Sequence, residues 1–399
     1  MSRNKNIFKF SENDFPLWPI WDKSEERSLL GVLHSGLWAG TRASKINEFS
    51  KTFATFQDTA HGICLSNGTV TLEAALVACG IGEGDEVIVP SISFVSTASA
   101  VLRVNATPII VDVNQSSLCI DCNKIEEAVT KNTKAIIAVH VAGMMCDMDF
   151  LKSFCDQKKL FFIEDCAHSH GSKWNNKGAG SYGHFGSFSF QHSKLLSAGE
   201  GGFLTSNSKS LIEKAWNYSN CGREIGKDTY FHSSIGSNCR MTDWQAAILT
   251  SQLERYPTQL LQRNKAAKIL DGALSKIDGL SPQARDSRIS ICGYYCYIFH
   301  LDSKVFGSKA QEKFFTILAN SGVPLSLPYP PINDLDLFSK KNFKPTIRRN
   351  LDTNKFETPN ARKIYSNTVW LHHRALLVDI QLLDKLVKLI ENIAICLKN

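Results

Sequence analysis

Lys194 lies just past the apolar run GSFSF (Gly186 to Phe190) and just before the turn Gly199-Glu200-Gly201-Gly202. A lysine amine forms Schiff bases with carbonyls once a partly desolvated site lowers its pKa. Ser193, Leu195 and Leu196 flank Lys194, and the glycines allow close backbone approach. Most lysines are merely solvated, so the residue type alone decides nothing. Asp165 ends a second apolar run, within FFIEDCAHSHG. A carboxylate there needs a partner, because an unpaired buried charge is costly. A protonated pyridine nitrogen would serve, as would a salt bridge or a helix cap. His168 and His170 follow, with no third ligand at a metal-binding spacing. In LSNGTVTLEAAL, the small residues Ser66, Asn67, Gly68 and Thr69 lead into a helical pattern. Backbone N–H groups and the dipole at a helix start suit a phosphate, although the same tetrad also reads as a plain turn and cap. Phe94, in SISFVSTASA, opens a helix after a strand and by default reads as core.

These residues need a scaffold that gathers them. EVIVP (Glu86 to Pro90), TPIIVDV (Thr107 to Val113), KAIIAVHV (Lys134 to Val141) and LFFIED (Leu160 to Asp165) are short, β-branched and nearly all apolar. Parallel strands covered on both faces read this way. Helical patterns over Thr71–Cys79, Val95–Leu102, Asn123–Val129 and Met148–Gln157 separate them, which indicates βαβ units. GSFSF and GGFLTS (Gly201 to Ser206) are joined by a connection too short for a helical crossover, so one of the two is expected to run antiparallel. Ligands of open α/β sheets bind beyond the carboxyl ends of the strands, where all four chemical segments fall. After about residue 260 the pattern changes. GYYCYIFHLD (Gly293 to Asp302) reads as a strand and Lys309–Asn320 as a helix. Asp379 caps a last amphipathic helix with Leu382, Leu383, Leu386, Ile390, Ile393, Ala394 and Leu397 on one stripe. The expected fold is α/β: a large, mostly parallel sheet domain with helices on both faces over residues 1–260, and a smaller α/β domain over 261–399.

Composition narrows the class. The chain has 399 residues, 43% of them hydrophobic, and a formal charge of +7. That core suits two domains. Basic residues are scattered among acidic ones, which argues against a nucleic-acid partner. No run approaches the roughly 18 or more apolar residues of a membrane span. The opening MSRNKNIFKFSENDF has no apolar signal region. The twelve cysteines are therefore expected in a reducing cytoplasm, as buried or incidental thiols. The single CxxC, Cys119 to Cys122, lacks a second pair, and no metal is expected.

The Ser66–Thr69 turn, Phe94, Asp165, Lys194 and the GEGG turn, in this order and spacing, resemble the DegT/DnrJ/EryC1/StrS family of sugar and cyclitol aminotransferases. The resemblance runs from FPLWPIWDKSEE through SGLWAG to HHRALL, and SFQHSKLLSAGEGG, IEDCAHSHG and SNCRMTDWQAAIL are its most specific parts. It implies the fold-type-I architecture and pyridoxal 5'-phosphate as cofactor. By position it implies that Lys194 binds the cofactor covalently and shuttles the proton, and that Asp165 meets the pyridine nitrogen. Gly68, Thr69 and Ser189 match phosphate ligands, and Phe94 matches the aromatic stacked on the ring. His168 stands where many members carry Gln near the ring hydroxyl. Asn238 matches a phosphate contact from a second subunit, which implies a homodimer, and Arg240 is placed toward the substrate carboxylate. Relatives that dehydrate carry histidine in place of the lysine; His192 is two positions too early to be that replacement. The implied reaction moves an amino group from glutamate or glutamine to a ketone of a sugar or cyclitol. Nucleotide-linked ketosugars, an aromatising or dehydrating reaction of the same family, and a catalytically silent binding protein are the other readings.

Overall fold

The computed structural model describes residues 8–40, 44–228, 230–338 and 357–398. Its strands, in chain order, are β1 (His61–Leu65), β2 (Glu86–Pro90), β3 (Thr107–Val111), β4 (Thr133–Val139), β5 (Phe161–Asp165), β6 (Lys173–Trp174), β7 (Lys177–Gly178), β8 (Phe185–Ser189) and β9 (Gly202–Ser206). Then follow β10 (Leu280–Pro282), β11 (Ile289–Ile291), β12 (Cys296–Leu301), β13 (Leu325–Ser326) and β14 (Thr368–His372). Seven of them form the large sheet, in the order β1-β9-β8-β5-β4-β2-β3. β8, β5, β4, β2 and β3 run parallel. β9 runs antiparallel to both β8 and β1, as the short connection through Lys194 requires.

Alternate residues of each buried strand feed opposite faces of the sheet. Val87, Val89, Ala135, Ile137 and Ile163 enter one apolar cluster, with residues of the helices Gly68–Ala78, Ser96–Arg103 and Lys209–Ser219. Ile88, Ile136, Ala138 and Phe162 enter the other, with residues of the helices Ser44–Phe56, Met148–Lys158 and Asp243–Leu274. β1 was not anticipated, because His61 and Gly62 interrupt its apolar run. Gly62 is there for space: a Cβ at this position would collide with the Phe203 ring of β9.

A four-stranded antiparallel sheet, β10-β12-β14-β13, takes all its strands from residues 280–372. The helix Ala310–Asn320 and the last helix, Ile380–Leu397, contribute to the core beside it. Asp379 caps the latter by accepting from the Leu382 N–H at 2.9 Å. The 32-residue helix Asp243–Leu274 runs through position 260 and joins the two regions without a break. The amino-terminal segment also reaches the second region, where the Phe10 N–H donates to the Ser321 carbonyl at 2.8 Å. All twelve cysteines are unpaired, and none is exposed. Among the described residues no helix is long and apolar enough to cross a membrane.

Candidate active site

The carboxyl ends of β4, β5 and β8, the start of the helix Gly68–Ala78 and the Lys194 loop enclose a cavity of about 810 Å³. Gly68, Thr69, Phe94, Asp165, His168, Ser189 and Lys194 all line it.

The Lys194 loop is closed on itself. The His192 N–H donates to the Gly199 carbonyl at 2.8 Å, the Lys194 N–H to the Gln191 carbonyl at 2.8 Å, and the Ala198 N–H to the Phe190 carbonyl at 3.1 Å. Gly199 turns the chain at φ +79°. Lys194 is 8% exposed, with its Nζ 4.5 Å from the centre of the Tyr295 ring. Burial lowers its pKa to about 8, against the opposing field of Asp165. Such an amine is neutral in a minor fraction near physiological pH, far more often than a solvated lysine, and that fraction can act as a nucleophile or a base.

Asp165 ends β5 facing the same cavity. Thr97 Oγ1 donates to its Oδ2 at 2.8 Å, and the Ala167 N–H donates to its Oδ1 at 3.2 Å. Burial raises its pKa, while these two bonds and the Lys194 charge oppose the rise. A cation brought beside it would hold the carboxylate charged.

The third part is a cradle of hydroxyls. Asn67 caps the helix Gly68–Ala78, with Oδ1 accepting from the N–H groups of Thr69 at 3.1 Å and Val70 at 3.0 Å. The Thr69 and Ser96 hydroxyls lie 2.7 Å apart, and Ser189 faces them from the end of β8. Only glycine fits at 68, where a Cβ would stand 2.7 Å from Ser189 Cβ. Gly202 lies against the same turn, and a Cβ there would collide with the Asn67 carbonyl. The GEGG motif therefore packs directly on the Ser66–Thr69 turn.

His168 is buried. The Ala142 N–H donates to its Nδ1 at 3.3 Å, and Tyr329 Oη lies 3.3 Å from its Nε2. Its ring stacks on Tyr295 at 4.0 Å and 14°. Burial first, then the Lys194 charge, holds its pKa well below the usual histidine range, so the ring is neutral. Phe94 departs from its default reading as core: it is 56% exposed and projects into the cavity, 6.3 Å from Tyr329. A large apolar ring left this open is matched to a ligand face.

Sequence reasoning missed Tyr295 and Tyr329, both from the second region, as well as Ser96 and Gln191 in the lining. Tyr329 sits in the Pro-rich SLPYPPIN loop, and nothing in its sequence marks it as facing His168, 161 residues upstream. Arg103 lines the cavity paired with Glu73. Asn238 and Arg240 lie outside the lining. Asn238 is exposed and bridges Asn220, while Arg240 Nη1 donates to Asn220 Oδ1 at 2.8 Å in a separate cleft. Behind β5, His140, Glu164 and Cys166 form the one cluster of metal-ligand types among the described residues. Glu164 is already saturated there by His140 and by the N–H groups of Gly180, Tyr182 and Gly183.

An amine, a buried carboxylate and a small-residue cradle opposite an open aromatic face fit pyridoxal phosphate in size and in donor set. The model of the DegT/DnrJ/EryC1/StrS aminotransferase family matches residues 19–387. The chain is 34% identical over 366 residues to the 3-amino-5-hydroxybenzoate synthase of Amycolatopsis mediterranei (strain S699), covering 91% of this chain and 93% of that one. It is 33% identical over 398 residues to the L-glutamine:2-deoxy-scyllo-inosose aminotransferase of Micromonospora echinospora, covering 95% and 94%. The crystal structure of 3-amino-5-hydroxybenzoic acid synthase superposes with a TM-score of 0.87 at 33% identity, over 96% of this chain and 98% of that one. That of an aminotransferase from Psychrobacter cryohalolentis gives 0.88 at 27% identity, over 96% and 100%. Fold and site thus define a fold-type-I pyridoxal-phosphate enzyme. The chain belongs to the DegT/DnrJ/EryC1/StrS family of aminotransferases.

Proposed function

We propose that this aminotransferase moves an amino group from glutamine or glutamate to the ketone of a six-membered cyclitol or of a free or singly phosphorylated ketosugar. The observation that carries this reading is the set of full-length relatives named for glutamine and scyllo-inosose or its deoxy derivatives, 32–34% identical to this chain. The cavity supports it. Ser93, Gln191, Ser193, His168 and Tyr329 offer hydrogen-bonding groups along its wall, and the Arg103 charge is already matched by Glu73. Such a wall suits a neutral polyhydroxy ring better than a nucleotide diphosphate. A site that pairs ring hydroxyls discriminates strongly, since a missing hydroxyl strands a buried polar group.

Bound pyridoxal phosphate supplies an electron sink for the carbon that carries the amine. Within this reading Lys194 Nζ would hold the cofactor and, once displaced by the donor amine, would carry the proton from that carbon to the cofactor side of the C–N bond instead of back to the carbon it left. Asp165, oriented by Thr97 and Ala167, holds a proton on the ring nitrogen. Gly68, Thr69 and Ser189 bind the phosphate, Phe94 covers the ring and His168 lies by its hydroxyl. Asn238 completes the neighbouring site of a homodimer, consistent with its exposure outside the cavity of its own chain. Arg240, which pairs with Asn220 outside the cavity of its own chain, would have to reach the substrate carboxylate from a second copy. The twelve unpaired thiols favour a cytoplasmic setting. The second sheet, drawn from residues 280–372, supports the division into domains at about 260.

A second reading, an aromatising reaction, has a specific observation behind it: the synthase relative at 34% identity. Single-turnover assays on the pyridoxamine form separate the readings. Return of the cofactor to its aldehyde form with scyllo-inosose-like rings supports the proposal. Response only to nucleotide-linked ketosugars overturns the acceptor class, and loss of water from an amino-bearing ring on the aldehyde form, without net amino transfer, supports the second reading instead.

A further inference from the structure

Behind the Lys194 loop, on the side away from the cavity, three carbonyls are each held by an aromatic N–H from a distant part of the chain. His170 Nε2 donates to the Ser189 carbonyl at 2.9 Å, Trp18 Nε1 to the His192 carbonyl at 3.1 Å, and His373 Nε2 to the Ser193 carbonyl at 3.2 Å. A carbonyl has no proton to give, so both histidines carry theirs on Nε2 and present Nδ1 as a lone pair. Both Nδ1 atoms are buried without a hydrogen-bond partner among the described residues.

The same neighbourhood holds Arg263, 0% exposed, whose Nε, Nη1 and Nη2 also lack a hydrogen-bond partner among the described residues. Its guanidinium lies 5.7 Å from the centre of the Trp18 ring and 5.6 Å from that of Tyr256. Trp18 in turn packs edge-on against His373 at 4.3 Å, and Tyr256 Oη donates to the His170 carbonyl at 2.7 Å. Five unspent donors beside two unspent acceptors is a buried polar network short only of a bridge, and a water with two to four polar partners supplies one.

We propose that Arg263 is a positioning residue for Lys194: bridged by water to Nδ1 of His170 and His373, it locks both rings as neutral Nε2–H donors, which fix the backbone leading into the lysine, at Ser189 and Ser193. The charged or titratable groups facing His373 are Arg263, His372, Arg374 and Tyr295, and those facing His170 are Lys194, Arg263, His168 and Tyr256. Removing Arg263 takes away both the bridge and a cation that opposes protonation of the rings. This rests on the assignment of Lys194 as the cofactor lysine.

The test uses the wild-type enzyme and its Arg263→Met and Arg263→Lys variants, as holoenzyme for the spectra and stripped of cofactor for the rate. Nitrogen-15 NMR of the histidines reads tautomer and charge. The rate at which added pyridoxal 5'-phosphate becomes fixable by borohydride on Lys194 reads the loop. In the wild type both rings stay neutral Nε2–H tautomers from pH 5.5 to 8. In Arg263→Met at least one ring titrates or changes tautomer in that range, and the fixation rate falls roughly tenfold or more, as a small misplacement of a reacting group does. Arg263→Lys retains most of the rate. A folded Arg263→Met protein with unchanged histidine signals and an unchanged rate overturns the proposal. If Arg263→Met does not fold, His373→Gln keeps a donor to the Ser193 carbonyl and His373→Phe does not. A slower rate in His373→Phe alone supports the device, and equal rates overturn it. Borohydride adducts on another lysine instead overturn the assignment of Lys194, a separate failure.

Discussion

Lys194 meets two demands with one side chain: it must be neutral often enough to attack, and placed firmly enough to return. Burial meets the first, lowering its pKa from the ordinary 10.5 to about 8. Below that midpoint the amine is an ammonium and inert; above it the amine is free to react. In the cofactor-free protein, acylation of Lys194 followed by peptide mapping should therefore rise through a midpoint near pH 8 rather than 10.5. A midpoint at the ordinary value would mean that the amine is solvated. Lys194→Ala should still bind cofactor but lose both half-reactions, read by absorbance after glutamate is added. Asp165 is the complementary case, a carboxylate whose pKa burial raises while Thr97, Ala167 and Lys194 oppose the rise. Asp165→Asn keeps the shape and an oxygen for Thr97 but cannot hold a charged ring nitrogen. Its turnover should fall roughly a hundredfold or more, the scale seen when one preorganised electrostatic group is removed. Wild-type turnover in that variant would remove Asp165 from the ring nitrogen.

At the scale of elements, what the sequence revealed follows period and spacing. The buried strands β2 to β5 were legible because parallel strands covered on both faces are nearly all apolar. That β8 or β9 runs antiparallel was legible because the Lys194 connection is too short to cross over; that it is β9 was not. β1 escaped because Gly62 breaks its pattern, and the reason for that glycine is the Phe203 ring on the neighbouring strand, a contact 141 residues distant. The same limit hid Tyr295 and Tyr329: their roles arise where the second region folds over the first, and neither tyrosine lies in a motif. Phe94 was legible only through resemblance, since a lone phenylalanine after a strand is ordinarily core. Gly202 illustrates how elements constrain a motif. Its Cβ position is taken by the Asn67 carbonyl, so Gly202→Ala must push β9 away from the helix start. The expected result is a loss of about 1–3 kcal/mol of stability, the usual cost of overpacking, with faster cofactor release. Thermal unfolding and the rate of cofactor loss on dilution check it. Gly80, with open space around its Cβ position but φ +72°, is the control for backbone strain alone: Gly80→Ala should lower stability without speeding cofactor release.

On the scale of the whole molecule, the cavity of one chain is built from both of its regions yet leaves out Asn238 and Arg240. Asn238 is exposed on a segment bridged to Asn220, and Ile225, Phe231 and Ile235, earlier in the same stretch of chain, are exposed apolar side chains. Apolar side chains left open together mark a surface that another protein covers. If a second copy covers it, each cavity receives Asn238 from the partner, and the two sites of the dimer are composite. The consequence is testable by complementation. Lys194→Ala removes the amine from its own cavity, and Asn238→Ala removes the contact from the neighbour's. In a hybrid dimer, one cavity combines both lesions and the other has neither. Mixing the two inactive proteins under conditions that allow subunit exchange should therefore restore activity, up to about one intact site per hybrid and none in either parent dimer. Because the two dimer types exchange statistically, recovery should peak at equal mixing and vanish when exchange is blocked by a cross-link. A fully active monomer by light scattering, or no recovery despite exchange shown by mass spectrometry, would return Asn238 to an ordinary surface position.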